Sequence, residues 1–234
     1  MNEFTNAITT AAKLILQLDS GLTEIIYLSL QVSIIAVVIS ALIGLPLGAS
    51  LALAQFRGKN IIIILLNTLM GLPPVVVGLI VYLLISRSGP LGVFGLLFSP
   101  TAMIIAQVIL VTPIIAALAR QVIEDLWAEY EEQLCSLGAN RFRAVPTLLW
   151  DARFALITAV LAGFGRASAE VGAVMIVGGN IDHVTRVMTT AIALEVSKGD
   201  LSLALGLGFV LLTLSILVNG SVYYVKEVAE KNHA

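Results

Sequence analysis

The stretch at residues 120–153, RQVIEDLWAEYEEQLCSLGANRFRAVPTLLWDAR, determines how the rest of the chain is interpreted. Ten of its residues are Asp, Glu, Lys or Arg, of 28 such residues in the whole chain. Apolar side chains recur at helical spacing through its first half, and Gly138 then ends the pattern. Asn140 can cap a second short helix that carries Arg141 and Arg143. This stretch, called here the charged loop, therefore predicts a helix, a glycine-centred bend and a basic helix.

The segments on both sides of the charged loop are too apolar for a soluble protein. Of the 234 residues, 59% are hydrophobic and 12% are charged, and the mean hydropathy is +1.01. Runs without charge cover residues 25–56, 60–86, 88–119 and 201–225, and each is longer than the ~20 residues that cross a bilayer. Because backbone groups in lipid must hydrogen-bond within their own segment, these runs predict helices. The fold class is an all-α integral membrane protein.

Five membrane-spanning helices are predicted, at about 25–54, 61–85, 92–119, 154–178 and 201–225. Residues 1–22 predict an interfacial helix, because charged residues interrupt their apolar pattern. Residues 23–226 then form a single transmembrane domain that includes the charged loop, and residues 227–234 form a cytoplasmic tail. Pro73 and Pro74 in the second span are compatible with either a plain kink or a flexible break beside a water-filled path.

The fourth predicted span carries two charges in an apolar setting. Arg166 and Glu170 are four residues apart, which places them on one face of a continuous helix. Each charge costs ~2.5–3.5 kcal/mol at a helix centre, so both are expected to face protein or water and to be paired. A functional role and a structural ion pair that locks two helices are both compatible with this pattern.

The sequence after the fourth span is more polar and is interrupted by glycines. Gly178, Gly179 and Asn180 are expected to break the helix. The segment 184–192 then predicts a short helix at the membrane surface, since it is too short and too polar to span. Gly199 is expected to stop that helix, and Asp200 to cap the last span.

The distribution of basic residues predicts the orientation. Eight Lys or Arg residues fall on the side of the charged loop and the C-terminus, and four on the other side. By the positive-inside rule, the charged loop and the C-terminus are cytoplasmic and the N-terminus lies outside.

Several classes of function lack support in the sequence. A glycine-rich loop ending in Gly-Lys-Ser or Gly-Lys-Thr, which would bind ATP, is absent from the sequence. One Cys and two separated His residues form no metal-ligand pattern, so no cofactor is expected. A net charge of −2 does not indicate a nucleic-acid partner. Energy for transport would then come from another subunit or from an ion gradient.

The motif EQLCSLGA at residues 132–139 resembles the EAA-loop signature of ABC-importer permeases, in which Glu-Ala-Ala is followed after three residues by Gly. Gln133 and Leu134 replace the two alanines, and Asp151 stands where that family usually has proline. The ends of the loop are therefore expected to pack differently. The resemblance implies a type I ABC-importer permease fold and a coupling segment that docks on an ATPase. The residues implied for this contact are Glu132, Leu137, Gly138, Ala139, Asn140, Arg141 and Phe142.

A second resemblance concerns the cargo. The sequences GFGRASAEVGA at 163–173, GGNI at 178–181 and VTRVMTTAIALE at 184–195 resemble the oxyanion branch of these permeases, which imports tungstate, molybdate and sulfate. They are most similar to the tungstate-uptake members. Residues implied for translocation or gating are Arg166, Glu170, Gly172, Gly178, Gly179, Asn180 and Thr189. Of these, Gly178, Gly179, Asn180 and Thr189 also fit ordinary turn and cap roles.

The resemblance further implies a set of partners. These are a second copy of the chain, cytoplasmic ATPase subunits that hold ATP and Mg²⁺, an extracytoplasmic oxyanion-binding protein and the lipid of a prokaryotic inner membrane. Two alternatives remain open. The chain could be a secondary transporter driven by protons or sodium, with Glu170 as the titrating group, or a membrane-embedded enzyme.

Overall fold

The structure, a computed structural model, describes Thr9 and residues 20–231, and every regular element in this part of the chain is helical. A single 3₁₀ turn, Gly92–Phe94, precedes the fourth helix. The α-helices are α1 (Ser20–Leu53), α2 (Lys59–Met70), α3 (Pro74–Ile85), α4 (Pro100–Ser136), α5 (Arg141–Asp151), α6 (Arg153–Ser168), α7 (Gly172–Gly178), α8 (Met188–Lys198) and α9 (Leu201–Lys231). The interfacial helix predicted at 1–22 lies outside the described residues, except for Thr9 and the start of α1.

The lengths and compositions of the helices agree with the predicted membrane class. Among the described residues, α1, α4 and α9 are each long and apolar enough to cross a bilayer. Two further pairs, α2 with α3 and α5 with α6, are each bent at a short break and could each make one crossing. Counted this way, the helices reach the predicted total of five.

The fourth span differs from its prediction. The prediction of one continuous helix at 154–178 is wrong, because α6 ends at Ser168 and α7 begins only at Gly172. The bent pair that qualifies as a crossing is instead α5 and α6, with an angle of 77° between them. Arg166 therefore lies in the last turn of α6, whereas Glu170 lies in the linker that follows. They do not share one face of one helix.

The third and fifth spans extend beyond their predicted ends. Helix α4 continues for 37 residues through Pro113 and includes the first half of the charged loop. Helix α9 continues through Lys231, so most of the predicted tail at 227–234 is helical. Residues 232–234 of the predicted tail are outside the described part of the chain.

The chain divides into two compact units, which are described separately. The first unit contains the described parts of Met1–Ile35, Pro73–Gln107 and Ser168–Val225, and the second those of Ala36–Leu72, Val108–Ala167 and Lys226–Ala234.

In the second unit, the core lies where α1, α4, α5 and α6 meet. Its buried side chains are Ala49, Ala52, Leu53, Ala119, Ile123, Trp127, Ala144, Leu148, Ala152 and Leu156. Small residues on α1 let the backbones of α1 and α4 approach closely. A Cβ atom on Gly48 would lie 2.3 Å from the carbonyl oxygen of Ala116 on α4. The core therefore fixes the base of the charged loop against the end of α1.

In the first unit, small residues again bring helices together. A Cβ atom on Gly78 of α3 would lie 2.7 Å from Cα of Ala173 on α7. A separate cluster joins the start of α1 to α8 and α9 through Leu22, Met188, Ala191, Leu207 and Val210. Helix α8 corresponds to the predicted surface helix, although it begins at Met188. The predicted stop at Gly199 is confirmed by its φ of +85°, and the Asp200 cap by a hydrogen bond of 3.0 Å from the Leu203 N–H.

Candidate functional site

The charged loop folds as a helix, a bend and a helix, as predicted. Helix α4 ends in two hydrogen bonds that differ from the four-residue spacing of an α-helix. The Gly138 N–H donates to the Cys135 carbonyl at 2.9 Å, and the Ala139 N–H donates to the Leu134 carbonyl at 2.9 Å. This is a Schellman motif, which requires a left-handed residue at the bend. Gly138 supplies that residue with a φ of +78°. The glycine therefore fixes where α4 stops and in which direction α5 begins.

The bend presents apolar side chains to the surroundings. Leu137 is 82% exposed and Phe142 is 61% exposed. Glu132 and Asn140 are also exposed, and Ala139 is half-buried. Exposed large apolar residues at the tip of a charged segment are typical of a surface that another protein covers. Residues 132–142, called here the coupling segment, therefore form a candidate docking surface.

Helix α5 starts at the predicted position but by a different contact. Asn140 occupies the position before the first helical residue, and its side chain makes no capping hydrogen bond. Its backbone carbonyl instead accepts the N–H groups of Arg143 at 2.8 Å and Ala144 at 3.0 Å. The Asn140 side chain thus stays on the exposed face of the bend.

Arg141 is directed towards the chain itself. Its guanidinium carbon lies 5.3 Å from the centroid of the Trp127 ring, and Nη2 donates to Glu131 Oε1 at 2.6 Å. With the Gln55 amide oriented so that its oxygen faces the guanidinium, Oε1 accepts from Nη1 at 2.8 Å and from Nη2 at 3.0 Å. Of the residues predicted for the coupling contact, Arg141 is thus largely occupied by internal contacts.

A second charged contact lies near the base of the charged loop. Lys59, the first residue of α2, places Nζ 3.2 Å from Glu124 Oε1 on α4 and 2.7 Å from the Ala52 carbonyl oxygen near the end of α1. Glu124 also accepts a hydrogen bond from Arg120 in its own helix. The short turn between α1 and α2 is therefore tied to α4 beside the loop.

Glu170 is buried in the linker between α6 and α7, with 3% of its surface exposed. Its Oε1 accepts the Ala173 N–H at 2.9 Å, and its backbone carbonyl accepts the Thr189 hydroxyl at 2.8 Å. A carboxylate at the start of a helix satisfies backbone donors that have no partner within the helix. Glu170 thus starts α7 and joins it to α8.

The glycine candidates make close contacts at the two ends of α7. A Cβ atom on Gly172 would lie 2.9 Å from Val75 Cγ2, and one on Gly178 would lie 3.0 Å from Met103 Sδ. Gly179 has a φ of +74° and ends α7. The structure therefore brings Glu170, Gly172 and Thr189 together and places Gly178, Gly179 and Asn180 at the other end of α7.

The hydroxyl donors of this region already make hydrogen bonds. The Thr185 hydroxyl donates to the Gly178 carbonyl oxygen at 2.6 Å, and the Thr190 hydroxyl donates to the Val187 carbonyl oxygen at 3.0 Å. Asn180 Nδ2 lies 3.5 Å from the Thr190 carbonyl oxygen. These contacts assign the side chains turn and cap roles in this structure. Their role in translocation stays a prediction.

We expect Thr189→Val to weaken the contact between α7 and α8, because it removes the only donor of the Thr189 side chain. Loss of one buried hydrogen bond costs about 1 kcal/mol, with a further penalty for the carbonyl that is left without it. Thr189→Ser, which keeps the hydroxyl, is the matched control. The melting temperature of the purified protein in detergent should fall for the valine variant alone. Equal melting temperatures for the two variants would contradict the role of this hydrogen bond.

His183, in the turn before α8 and outside the candidate membrane spans, belongs to a titratable pair. His183 Nδ1 lies 2.6 Å from Glu24 Oε2 near the start of α1. The hydrogen bond and charge of Glu24, with a further contribution from Asp182, raise the pKa of His183 above its ordinary value, against smaller opposing effects of desolvation and of Arg186. Both partners are well exposed. The pair joins the turn before α8 to α1 while the imidazole is protonated.

The His183–Glu24 contact is expected to weaken with rising pH. Because the folded pKa is raised, the stabilisation is complete below the unfolded value of about 6.5 and is lost as pH rises through the folded value. Titration of the His183 ring by NMR should give a pKa above about 6.5. Glu24→Gln should bring that pKa back towards the ordinary value. An unchanged His183 pKa in this variant would mean that Glu24 does not stabilise the protonated imidazole.

The comparisons with known proteins agree with these features. Residues 44–227 match the family of binding-protein-dependent transport system inner membrane components. The tungstate uptake system permease TupB of Peptoclostridium acidaminophilum is 41% identical over 93% of this chain and 95% of its own length. A probable anion ABC transporter permease of Haloferax volcanii is 40% identical, over 85% and 88%. A sulfate transport permease, CysW of Synechococcus elongatus, is 28% identical, over 73% and 62%.

The family match covers most of the chain, including all of the charged loop. Together with the membrane-length helices and the exposed coupling segment, it identifies the chain as a transport component. The chain is therefore a member of the binding-protein-dependent transport system inner membrane component family, the membrane permeases of ABC importers.

Proposed function

We propose that two copies of this chain form the membrane channel of an ATP-driven importer for tungstate or a closely related tetrahedral oxyanion. ATPase subunits would dock on the coupling segment from the cytoplasm and hold ATP and Mg²⁺. An extracytoplasmic binding protein would deliver the anion. The sequence similarity to tungstate-uptake permeases supports this choice of cargo.

The observation that carries the proposal is the continuity of α4. This helix has 37 residues, which corresponds to roughly 55 Å at 1.5 Å per residue. Its apolar part is long enough to cross the bilayer, and its last turns form the start of the coupling segment. A displacement of the coupling segment by ATPase closure would therefore act directly on a membrane-spanning helix.

The geometry around Glu170 supports the alternative, a secondary transporter driven by protons or sodium, less well than it supports the ATP-driven importer. A coupling carboxylate must exchange its ion during each cycle, whereas Glu170 Oε1 is engaged by the Ala173 N–H and its carbonyl oxygen by Thr189. These contacts describe a residue that organises a helix start.

Competitive uptake into proteoliposomes tests the proposal. Vesicles that contain the permease, its ATPase and its binding protein should import radiolabelled tungstate only with ATP inside. Unlabelled molybdate and sulfate, added separately at equal excess, should reduce uptake less than unlabelled tungstate does. Accumulation against a gradient by the permease alone would overturn the ATP-driven mechanism, and stronger competition by sulfate would overturn the choice of cargo.

A further inference from the structure

We infer that Arg141 is a positioning residue that joins the coupling segment to α1 and α4, so that ATPase movement is transmitted to the membrane helices. The inference rests on the proposed function and adds a role to one residue of that site. It assigns to Gln55, which lies 86 positions earlier in the chain, a part in coupling.

The first support is the number of elements that meet at one guanidinium. Arg141 is the first residue of α5, Glu131 and Trp127 are on α4, and Gln55 follows the end of α1. Glu131 accepts a hydrogen bond from the guanidinium at 2.6 Å, and Gln55, with its amide oxygen facing the guanidinium, accepts two at 2.8 and 3.0 Å. A planar group with five donors can satisfy both acceptors while one face stacks on an aromatic ring.

The second support is the anchoring of these partners. Trp127 is only 6% exposed and belongs to the core of the second unit, together with Leu53 at the end of α1. A cation over a tryptophan ring is attracted to its π face. The guanidinium therefore connects the exposed coupling segment to the buried core of this unit.

The third support is the neighbouring tie between Lys59 and Glu124. Lys59 holds the start of α2 against α4 and against the Ala52 carbonyl oxygen. With Arg141 at the bend and Lys59 nearer the base, the end of α1 is attached to α4 at two separate levels. A displacement of the bend would therefore be passed to α1 as well as along α4.

Arg141 differs from a simple surface charge, because its guanidinium contacts Trp127, Glu131 and Gln55 at once. Lysine keeps the positive charge, but it lacks the planar fork and the flat face that the three partners engage. Arg141→Lys should therefore impair coupling. The matched control is Arg143→Lys, since Arg143 is exposed two positions later on the same helix. Gln55→Leu should behave like Arg141→Lys, whereas Gln55→Glu, whose carboxylate accepts the same donors, should retain coupling.

The experiment measures the ATP hydrolysed per anion imported by the full complex in proteoliposomes, alongside the amount of ATPase that co-purifies. We expect Arg141→Lys and Gln55→Leu to bind the ATPase normally and to raise this ratio several-fold. Arg143→Lys and Gln55→Glu should match the wild type. A merely structural role would lower the yield of complex without changing the ratio for the complex that forms.

Two results would overturn the inference while leaving the proposed function intact. One is a wild-type ratio in both Arg141→Lys and Gln55→Leu. The other is loss of the ATPase from Arg141→Lys alone, which would make Arg141 a direct docking contact. Should Arg141→Lys fail to purify, Gln55→Leu supplies the same test. Failure of the proposed function would appear instead as ATPase binding that does not depend on the coupling segment.

Discussion

Leu137→Asp is expected to abolish co-purification of the ATPase and ATP-driven uptake, while the permease itself still folds. The side chain is 82% exposed at the tip of the bend, so an aspartate there remains hydrated in the free permease. In the docked complex, the same carboxylate would be buried against an apolar contact. The effective penalty for burying an unpaired ion is several kcal/mol. A loss of about 3 kcal/mol would weaken binding roughly a hundredfold.

The measurement is the amount of ATPase retained on the affinity-purified permease, followed by uptake into proteoliposomes. Val93→Asp is the matched control, because Val93 is also an exposed apolar side chain, with 96% of its surface accessible, and lies in the 3₁₀ turn outside the charged loop. Retention of the ATPase should be lost in the first variant and preserved in the second. Normal retention by Leu137→Asp would remove the coupling segment from the docking surface.

The bend at Gly138 could be predicted from the sequence because its signals are local. The apolar period stops, a glycine follows, and a potential cap lies two residues later. The Schellman hydrogen bonds connect residues that are at most five apart. Local conformational preference therefore decides this element, and tertiary packing only adds to it.

The break at Glu170 could not be predicted in the same way. Residues 155–165 and 173–177, on either side of this break, are mainly apolar, and the small residues between them are equally compatible with a continuous membrane helix. The interruption is accompanied by a contact between residues 19 positions apart, the Thr189 hydroxyl and the Glu170 carbonyl. A contact of that range leaves no periodic signal in the sequence. The prediction of one helical face for Arg166 and Glu170 is wrong for this reason.

The residues of the coupling segment also divide into those whose placement follows from local sequence and those whose placement depends on distant contacts. Exposure of Leu137 and Phe142 follows from their place beside a helix stop, where the core has ended. The inward direction of Arg141 depends on Trp127 in α4 and on Gln55 in the turn after α1. The resemblance at residues 132–139 predicts that the segment is functional, but it does not separate residues proposed to dock from a residue proposed to hold the segment in place.

Gly48→Val is expected to prevent formation of a stable fold, the second large effect. A Cβ atom at this position would lie 2.3 Å from the Ala116 carbonyl oxygen and 3.0 Å from the Arg120 backbone nitrogen. Both atoms belong to the backbone of α4, so no side-chain rotation can relieve the clash. Overpacking of a core costs about 1–3 kcal/mol and occasionally more. Separation of α1 from α4 would also disturb the base of the charged loop.

Size-exclusion chromatography and thermal melting in detergent measure the effect. Gly48→Val should yield little monodisperse protein, with a strongly lowered melting temperature. Gly220→Val is the matched control, because it places the same β-branched residue in α9, where a Cβ atom meets no other atom within 4 Å. Gly44→Ala, whose Cβ would lie 3.1 Å from the Thr112 carbonyl oxygen, should fall between them. If Gly48→Val melts like Gly220→Val, then α1 and α4 do not approach closely at this point.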